Sequence, residues 1–585
     1  MVAVLVRKLL SATTTKLFRT QVIFWFSLNL LYAAIYNILV LQEAFSSEYI
    51  VQDDARQHVF WMQRFLDPGL FPNDLIANYF QSVAPIGYTK LYQLAAAVGI
   101  NPLLFNKLLP VVLSLITLSY CFGVCLQLLP VPAAAFTATL LLTQGLGLTS
   151  TVVSGTPRAF IYPLFLAFMY YLLKGSLLPC LIAIALQGLF YPQLVLISAG
   201  TLSLKLWEWR NGKLHWCHNQ KTRLLSGMGL AISLLVMLPY AFKSSEFGAA
   251  ISVIEARGLP EFFPGGRSSF FYDHDPVYFW LEGRGGIHLS SALKPFTNAA
   301  GFLLLLLPCF PRQFPLVNKI TPGINLLSQI LIASFGMFFA AHALLFTLHL
   351  PSRYTGHTLR MVMSLSAGIV IIVLIDAIFH WIQQLSRRHL LPSKLPVLGS
   401  TILTLLIAAS LLWYPSFLEE FPVTNYKVGK EPSLYKFFQN QPQDSLIASL
   451  SREASYLPTF AQRSVLIGSE YAIPYHTGYY HQFRQRILDL ITAQYSPNQT
   501  ILHDFIDKYQ ITFWLLDRDA LTLEYIVNNG WLQAYQPAIT QAQNILEHGK
   551  EPALLSLRTR CSLFETENLI ALQAACLTKQ VISNK

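Results

Sequence analysis

The sequence predicts an α-helical polytopic membrane protein of about eleven transmembrane helices, amino terminus inside and carboxyl terminus outside, with a small exterior C-terminal α/β domain. Three observations predict it. Of 585 residues, 54% are hydrophobic and only 12% charged, where a soluble chain would carry about a quarter charged. The apolar residues gather into many runs near the ~20 residues needed to cross a bilayer. The bases behind the net charge of +11 collect at alternate loop ends, as the positive-inside bias requires. Together these exclude a soluble enzyme on a single anchor, a disordered or collagen-like chain, a coiled coil and a disulfide-stapled miniprotein. No basic patch is interleaved with aromatics and no recognition motif is present, so nucleic acid is not the expected partner.

Residues 1–20 hold Arg7, Lys8, Lys16 and Arg19 with no acid and are placed in the cytoplasm. Val22 to Phe45 is longer than a signal-peptide core and is not followed by a small-residue cleavage motif, so it reads as a retained first span. Glu43, Glu48, Asp53, Asp54, Asp67 and Asp74 then outnumber Arg56 and Arg64, which places the loop 44–102 outside. Further spans are expected near 103–128, 131–151, 157–174, 177–190, 192–207, 224–242, 297–310, 325–349, 360–383 and 396–414, the shorter ones tilted or broken. The loops this alternation makes cytoplasmic hold Lys205, Arg210, Lys213, Lys221, Arg223, Arg312, Lys319, Arg387, Arg388 and Lys394, with Glu208 their only acid.

Residues 1–414 thus form the multi-pass domain, with a second exterior loop at 243–296, and residues 415–585 an exterior domain of ordinary globular composition. Strand-like runs at Ser445–Leu450, Ser464–Gly468, Ile511–Leu516 and Ser562–Phe564 alternate there with helical stretches Ser433–Gln439 and Thr500–Tyr509, the pattern of an α/β fold. Cys121, Cys125, Cys180, Cys217 and Cys309 read as buried small hydrophobes. Cys561 and Cys576 are either a disulfide, if the compartment is oxidising, or two core thiols.

There is no P-loop, G-x-G-x-x-G, H-E-x-x-H or G-x-S-x-G motif, so the chemistry must come from four exterior segments. The first is Y49-I-V-Q-D-D-A-R-Q-H-V-F-W-M-Q-R-F, in which Asp54, His58 and Arg64 recur at near-helical spacing. One of Asp53 or Asp54 can then face the membrane surface beside an imidazole; a merely hydrated acidic loop explains the same charges. Phe60, Trp61, Phe65, Phe71, Tyr79 and Phe80 interleave with the polar residues, as an interfacial segment requires. The second is S154-G-T-P-R-A-F, where Arg158 near a helix start can hold a lipid phosphate or simply snorkel. In the third, 243–296, Arg257 accompanies Asp273 and Asp275, which can hold a divalent cation such as Mg or Mn or merely form a turn. The fourth, L350-P-S-R-Y-T-G-H-T-L-R, brings Arg353, His357 and Arg360 to the exterior side, where the positive-inside bias disfavours them and an anionic partner explains them.

An inside N-terminus, one span, a first exterior loop with an Asp in a D-D-A-R-Q-H setting, many further spans and an exterior C-terminal domain resemble the GT-C superfamily of membrane glycosyltransferases. The resemblance implies transfer of a hexose or pentose from a polyprenyl-phosphate donor to an acceptor glycan, lipid or protein on the exterior side. It assigns the first-loop acid, Asp53 or Asp54 with His58 beside it, to proton abstraction or metal binding, and Asp273 with Asp275 to the metal. Arg56, Arg158, Arg257, Arg353, His357 and Arg360 become the candidate phosphate-binding groups. The W-W-D-Y-G signature of oligosaccharyltransferases is absent, which argues against transfer of a whole glycan to protein Asn. A bacterial inner membrane is the expected location. The rival readings are a lipid-linked-sugar flippase, which predicts mid-membrane polar residues and an internal repeat, and a non-catalytic assembly protein, which predicts dispensable loop acids.

Overall fold

The computed structural model describes residues 15–210, 212–242, 246–387 and 395–579; Arg7, Lys8, Arg388 and Lys394 lie outside them. A helix stands at each expected span: Thr15–Ala44, Pro102–Leu128, Pro132–Gly147, Ile161–Lys174, Leu177–Phe190, Gln193–Lys205, Gln220–Phe242, Phe296–Leu305, Asn325–Ala343, Ser352–Arg387 and Leu395–Trp413. Among the described residues, six are long and apolar enough to cross a membrane: Phe18–Ala44, Pro102–Leu128, Gln220–Tyr240, Pro322–Ala343, Ser352–Ile382 and Leu398–Phe417. The chain is an integral membrane protein.

Burial sorts these helices. The span within Ser352–Arg387 is 83% buried, whereas those beginning at Phe18 and Leu398 are 11% and 17% buried and offer their sides to lipid. The central helix crosses Pro132–Gly147 where Gly368 lies on the Ala138 backbone, leaving no room for a side chain. Phe296–Leu305 is wound as a 3-10 helix, not as the α-helical span expected over 297–310, and lies against the same helix, Gly301 touching Met363 and Ser366. Cys309 beyond it is exposed, contrary to the buried reading, while Cys121, Cys125, Cys180 and Cys217 are buried.

In the C-terminal region a five-stranded sheet runs in the order Ser464–Val465, Leu446–Ala448, Phe513–Asp517, Leu569–Gln573, Ser562–Glu565. The first three strands are mutually parallel and the last two antiparallel. Leu569–Gln573 is a strand that sequence reasoning passed over. Cys561 and Cys576 form a disulfide.

This region also reaches back to the beginning of the chain, which no motif announces. Ile50–Gln52 pairs antiparallel with Tyr426–Val428, Ile50 opposite Val428 and Gln52 opposite Tyr426. The first-loop aromatics follow it inward. Phe60, Trp61, Phe71, Tyr79 and Phe80 are buried, with Tyr79 stacked on Tyr479 at 3.7 Å and Phe60 against Tyr471. The expected interfacial segment is therefore a protein core, because the C-terminal region supplies the apolar partner that the bilayer was expected to provide. Exposed apolar side chains occur later in the loop, at Ile86, Leu94 and Val98.

Candidate active site

The first-loop acids are placed by the short strand. The Asp53 N–H donates to Asn425 O at 3.0 Å and the Asp54 N–H to Gln52 Oε1 at 2.9 Å. Ala55–His58 forms one helical turn, and from Phe60 the chain tightens into a 3-10 helix to Phe65. That change of winding removes Arg64 from the face of Asp54 and His58, contrary to the helical spacing. Its guanidinium instead donates to Asn78 and Gln81 at 2.9 and 2.8 Å.

Arg158 is placed by a turn that only glycine can make. Gly155 has φ +58, and a Cβ there would come within 2.5 Å of Asn106 Nδ2. Asn106 and Tyr92 tie the turn down by donating to Ser154 O and Gly155 O, each at 2.8 Å. Pro157 then opens a 3-10 turn into Ile161–Lys174, and Arg158 Nη2 reaches Asp54 Oδ2 in a direct ion pair. Ser150 Oγ joins them, accepting from Arg158 at 3.2 Å and from Asn425 Nδ2 at 3.1 Å.

One turn along the same helix, Tyr162 continues the constellation. Its hydroxyl accepts from Arg360 Nη1 at 2.8 Å and lies 3.1 Å from His357 Nδ1. Arg353, His357 and Arg360 stand on the opening turns of Ser352–Arg387 and not in a loop before a span at 360; Arg353 N and Tyr354 N already donate to Leu350 O and Pro351 O. Arg360 is buried and also bonds Ser291.

The charge here is carried by arginines. His58 is driven down to about 4 by burial, with Arg158 and Arg353 adding to the effect and Asp54 opposing it. Burial likewise takes His349 to about 3, helped by Arg353 and Arg284, and lowers His288, helped by Arg353. All three imidazoles are neutral at neutral pH, and Arg353 is close enough to act on each. The Nε–H groups of Arg158 and Arg353 are buried with no hydrogen-bond acceptor, which leaves donors for an anion.

The remaining candidates have other partners. Arg56, two residues after Asp54, is committed to carboxylates: it pairs with Asp53 and with Glu470 Oε2, the latter at 2.9 Å, and lies over the Tyr456 ring at 4.7 Å. Glu470 also receives Arg267 and Gln57. Arg257 pairs with Asp273 at 3.1 Å and covers Phe271 at 4.4 Å, half-exposed. Asp275 caps the helix Pro276–Leu281 by accepting from Tyr278 N at 2.9 Å.

A divalent cation would need several of these carboxylates to converge. Asp53, Asp54 and Asp273 each face an arginine, Asp275 faces a helix N-terminus, and no group of three or more metal-ligating side chains occurs among the described residues. A cavity of about 470 Å³ opens elsewhere, between Asn78, Gln81, Ile86, Lys90 and Glu246, and none of the expected site residues lines it.

Sequence reasoning missed Tyr162, His288, His349, Ser150 and Glu470. None stands in a motif, and only Tyr162, one turn after Arg158, carried a signal by spacing.

No protein-family model matches the chain, and no curated protein matches it by sequence. Solved structures do match by fold. The oligosaccharyltransferase of Archaeoglobus fulgidus in its apo form superposes with a TM-score of 0.51 at 11% identity, over 88% of this chain and 72% of that one. The AglB oligosaccharyltransferase of the same organism, in complex with an inhibitory peptide and a dolichol-phosphate, gives 0.51 at 10% identity over the same shares. ArnT from Cupriavidus metallidurans bound to undecaprenyl phosphate gives 0.44 at 11% identity, over 93% of this chain and 97% of that one, too loose a superposition to argue from.

Proposed function

The fold of this chain is that of the GT-C glycosyltransferases, and from it we propose that the protein transfers a sugar from a polyprenyl-phosphate donor to an acceptor on the exterior side of the membrane. Residues 415–585 are then an exterior domain, and the membrane is a bacterial inner membrane. The observation that carries the reading is the Asp54–Arg158 ion pair, with Arg353 acting on the same imidazole as both. A carboxylate and a guanidinium, 104 residues apart in sequence, are in contact.

The acceptor hydroxyl oxygen attacks the anomeric carbon and its proton passes to the Asp54 carboxylate. The bond from that carbon to the donor phosphate oxygen breaks, and its electron pair leaves with the lipid phosphate. Arg158 and Arg353, each with an unused Nε–H, stabilise the charge that develops there. His58, kept neutral, adds no competing positive charge beside Asp54. Arg56 and Asp53 hold the loop, and no step passes through a metal ion. That the AglB neighbour is seen with a dolichol-phosphate supports a lipid-phosphate donor.

The test is a donor-lipid transfer assay of wild type, Asp54→Asn, Asp53→Asn and Arg158→Ala in one detergent. Removing a positioned base costs roughly 10²- to 10⁴-fold, expected for Asp54→Asn, with a smaller loss for Asp53→Asn. Wild-type turnover in Asp54→Asn would remove the assignment.

A further inference from the structure

Between the helices Gln193–Lys205 and Gln220–Phe242, on the side opposite the proposed reaction, the chain folds into a β-hairpin that no part of the site uses. Trp207–Arg210 pairs antiparallel with Lys213–Trp216, Trp207 opposite Trp216, Glu208 opposite His215 and Trp209 opposite Leu214. Gly212, at φ +74, makes the tight turn. Side chains alternate across a strand and cross-strand partners share a face. Trp207, Leu214 and Trp216 therefore occupy one face, and Glu208, Lys213 and His215 the other.

The apolar face is open. Trp207, Leu214 and Trp216 are 48%, 59% and 47% exposed, and the two indoles meet edge to face at 5.2 Å. The next helix, a span from Gln220 to Tyr240, likewise exposes apolar side chains, Leu224 and Met228 at 55% and 41%. In sequence the hairpin and its flanks carry Lys205, Arg210, Lys213, Lys221 and Arg223 against the single acid Glu208.

We propose that this hairpin lies on the membrane leaflet from which it emerges, its tryptophan face at headgroup depth and its basic rim binding anionic phospholipid. Tryptophan favours that depth because its ring is apolar and its N–H is not. Each lysine or arginine near an anionic surface adds attraction that decays within a Debye length. A membrane occupant satisfies both faces at once, whereas a protein partner would need an acidic rim around an apolar groove. This does not rest on the proposed sugar transfer.

The test uses the full chain in nanodiscs of phosphatidylcholine, alone or mixed with phosphatidylglycerol, with tryptophan emission quenched by brominated lipid. Because the chain has ten tryptophans, the signal read is wild type minus Trp207→Phe/Trp216→Phe. The expected difference emission is blue-shifted, quenched by lipid brominated near the headgroup, and more strongly quenched when phosphatidylglycerol is present. Lys213→Glu/Lys221→Glu, which leaves both indoles in place, should abolish the dependence on phosphatidylglycerol. A red-shifted difference emission that brominated lipid does not quench would overturn the proposal and leave a water-facing hairpin free for a protein. Quenching that is the same in both lipids and in the charge-reversed chain would overturn its anionic part.

Discussion

Glu470→Gln is the sharpest perturbation of the site that leaves every expected catalytic group in place. The Glu470 side chain is 12% exposed and takes two guanidinium groups, Arg56 and Arg267, and the Gln57 amide. At 2.9 Å from Arg56 and an effective dielectric constant of about 20, the gross attraction is roughly 6 kcal/mol for that pair. Desolvation of the ions takes back most of it, but the glutamine leaves the partly exposed Arg267 opposite a neutral amide and the buried Arg56 with Asp53 as its remaining carboxylate. Removing one partner of a buried pair costs about 3–5 kcal/mol, and glutamine, by keeping some hydrogen bonds, belongs at the lower end. The structural effect should fall on the first loop, since Arg56 is the link between Glu470 and Asp53. The assay is denaturant unfolding in detergent micelles beside donor-lipid transfer. A loss of about 3 kcal/mol in unfolding free energy and a lowered turnover number are expected, with Arg56→Met/Glu470→Met recovering stability more fully than either single change. A Glu470→Gln chain within about 0.5 kcal/mol of wild type, the size of an ordinary surface substitution, would refute the reasoning.

Gly155→Ala should be severe for its size: the positive φ and the clash with Asn106 together cost about 1–3 kcal/mol, and turnover falls further because Arg158 is three residues away; an alanine chain as stable and active as wild type would show that the turn is not constrained. Stability should be level above pH ~6.5 and decline as pH falls toward 4, because His58 takes up its proton in the unfolded chain at the ordinary imidazole value but in the folded chain only near 4. The loss for this residue is at most about 3 kcal/mol and smaller to the extent that water reaches the ring; unfolding curves across that range check it, and a stability independent of pH there would contradict it. EDTA should leave transfer unchanged, since the candidate carboxylates face arginines or a helix N-terminus; activity lost to chelation and restored by Mg or Mn would show that they rearrange.

The helices were legible because long apolar runs leave one option in a bilayer; their bounds were less so at Ser352, where Arg353 and His357 read as loop residues although they form the first turns of a helix. Aromatic residues alternating with polar ones look the same whether a bilayer or another part of the protein covers them, and Phe60 and Tyr79 were misplaced for that reason. Arg56 was grouped with the phosphate-binding cations because nothing near it in sequence shows that Glu470, 414 residues on, will claim it. The roles expected of Asp54 and Arg158 rest on family likeness, and no spacing in the sequence shows that the two side chains meet. The hairpin did leave a trace in the sequence, the asparagine-glycine pair flanked by W-E-W-R and K-L-H-W.

The pairing of Ile50–Gln52 with Tyr426–Val428 has a bearing on biosynthesis. Gln52 donates to Thr424 O across 372 residues of chain, so while the ribosome is still making the central helices the aspartate turn has no edge to lie against and its aromatic neighbours have no cover. The Asp54–Arg158 pair gains its full surroundings only as the last third of the polypeptide emerges, and a nascent chain halted before Thr424 would be inserted in the bilayer with this corner still unformed.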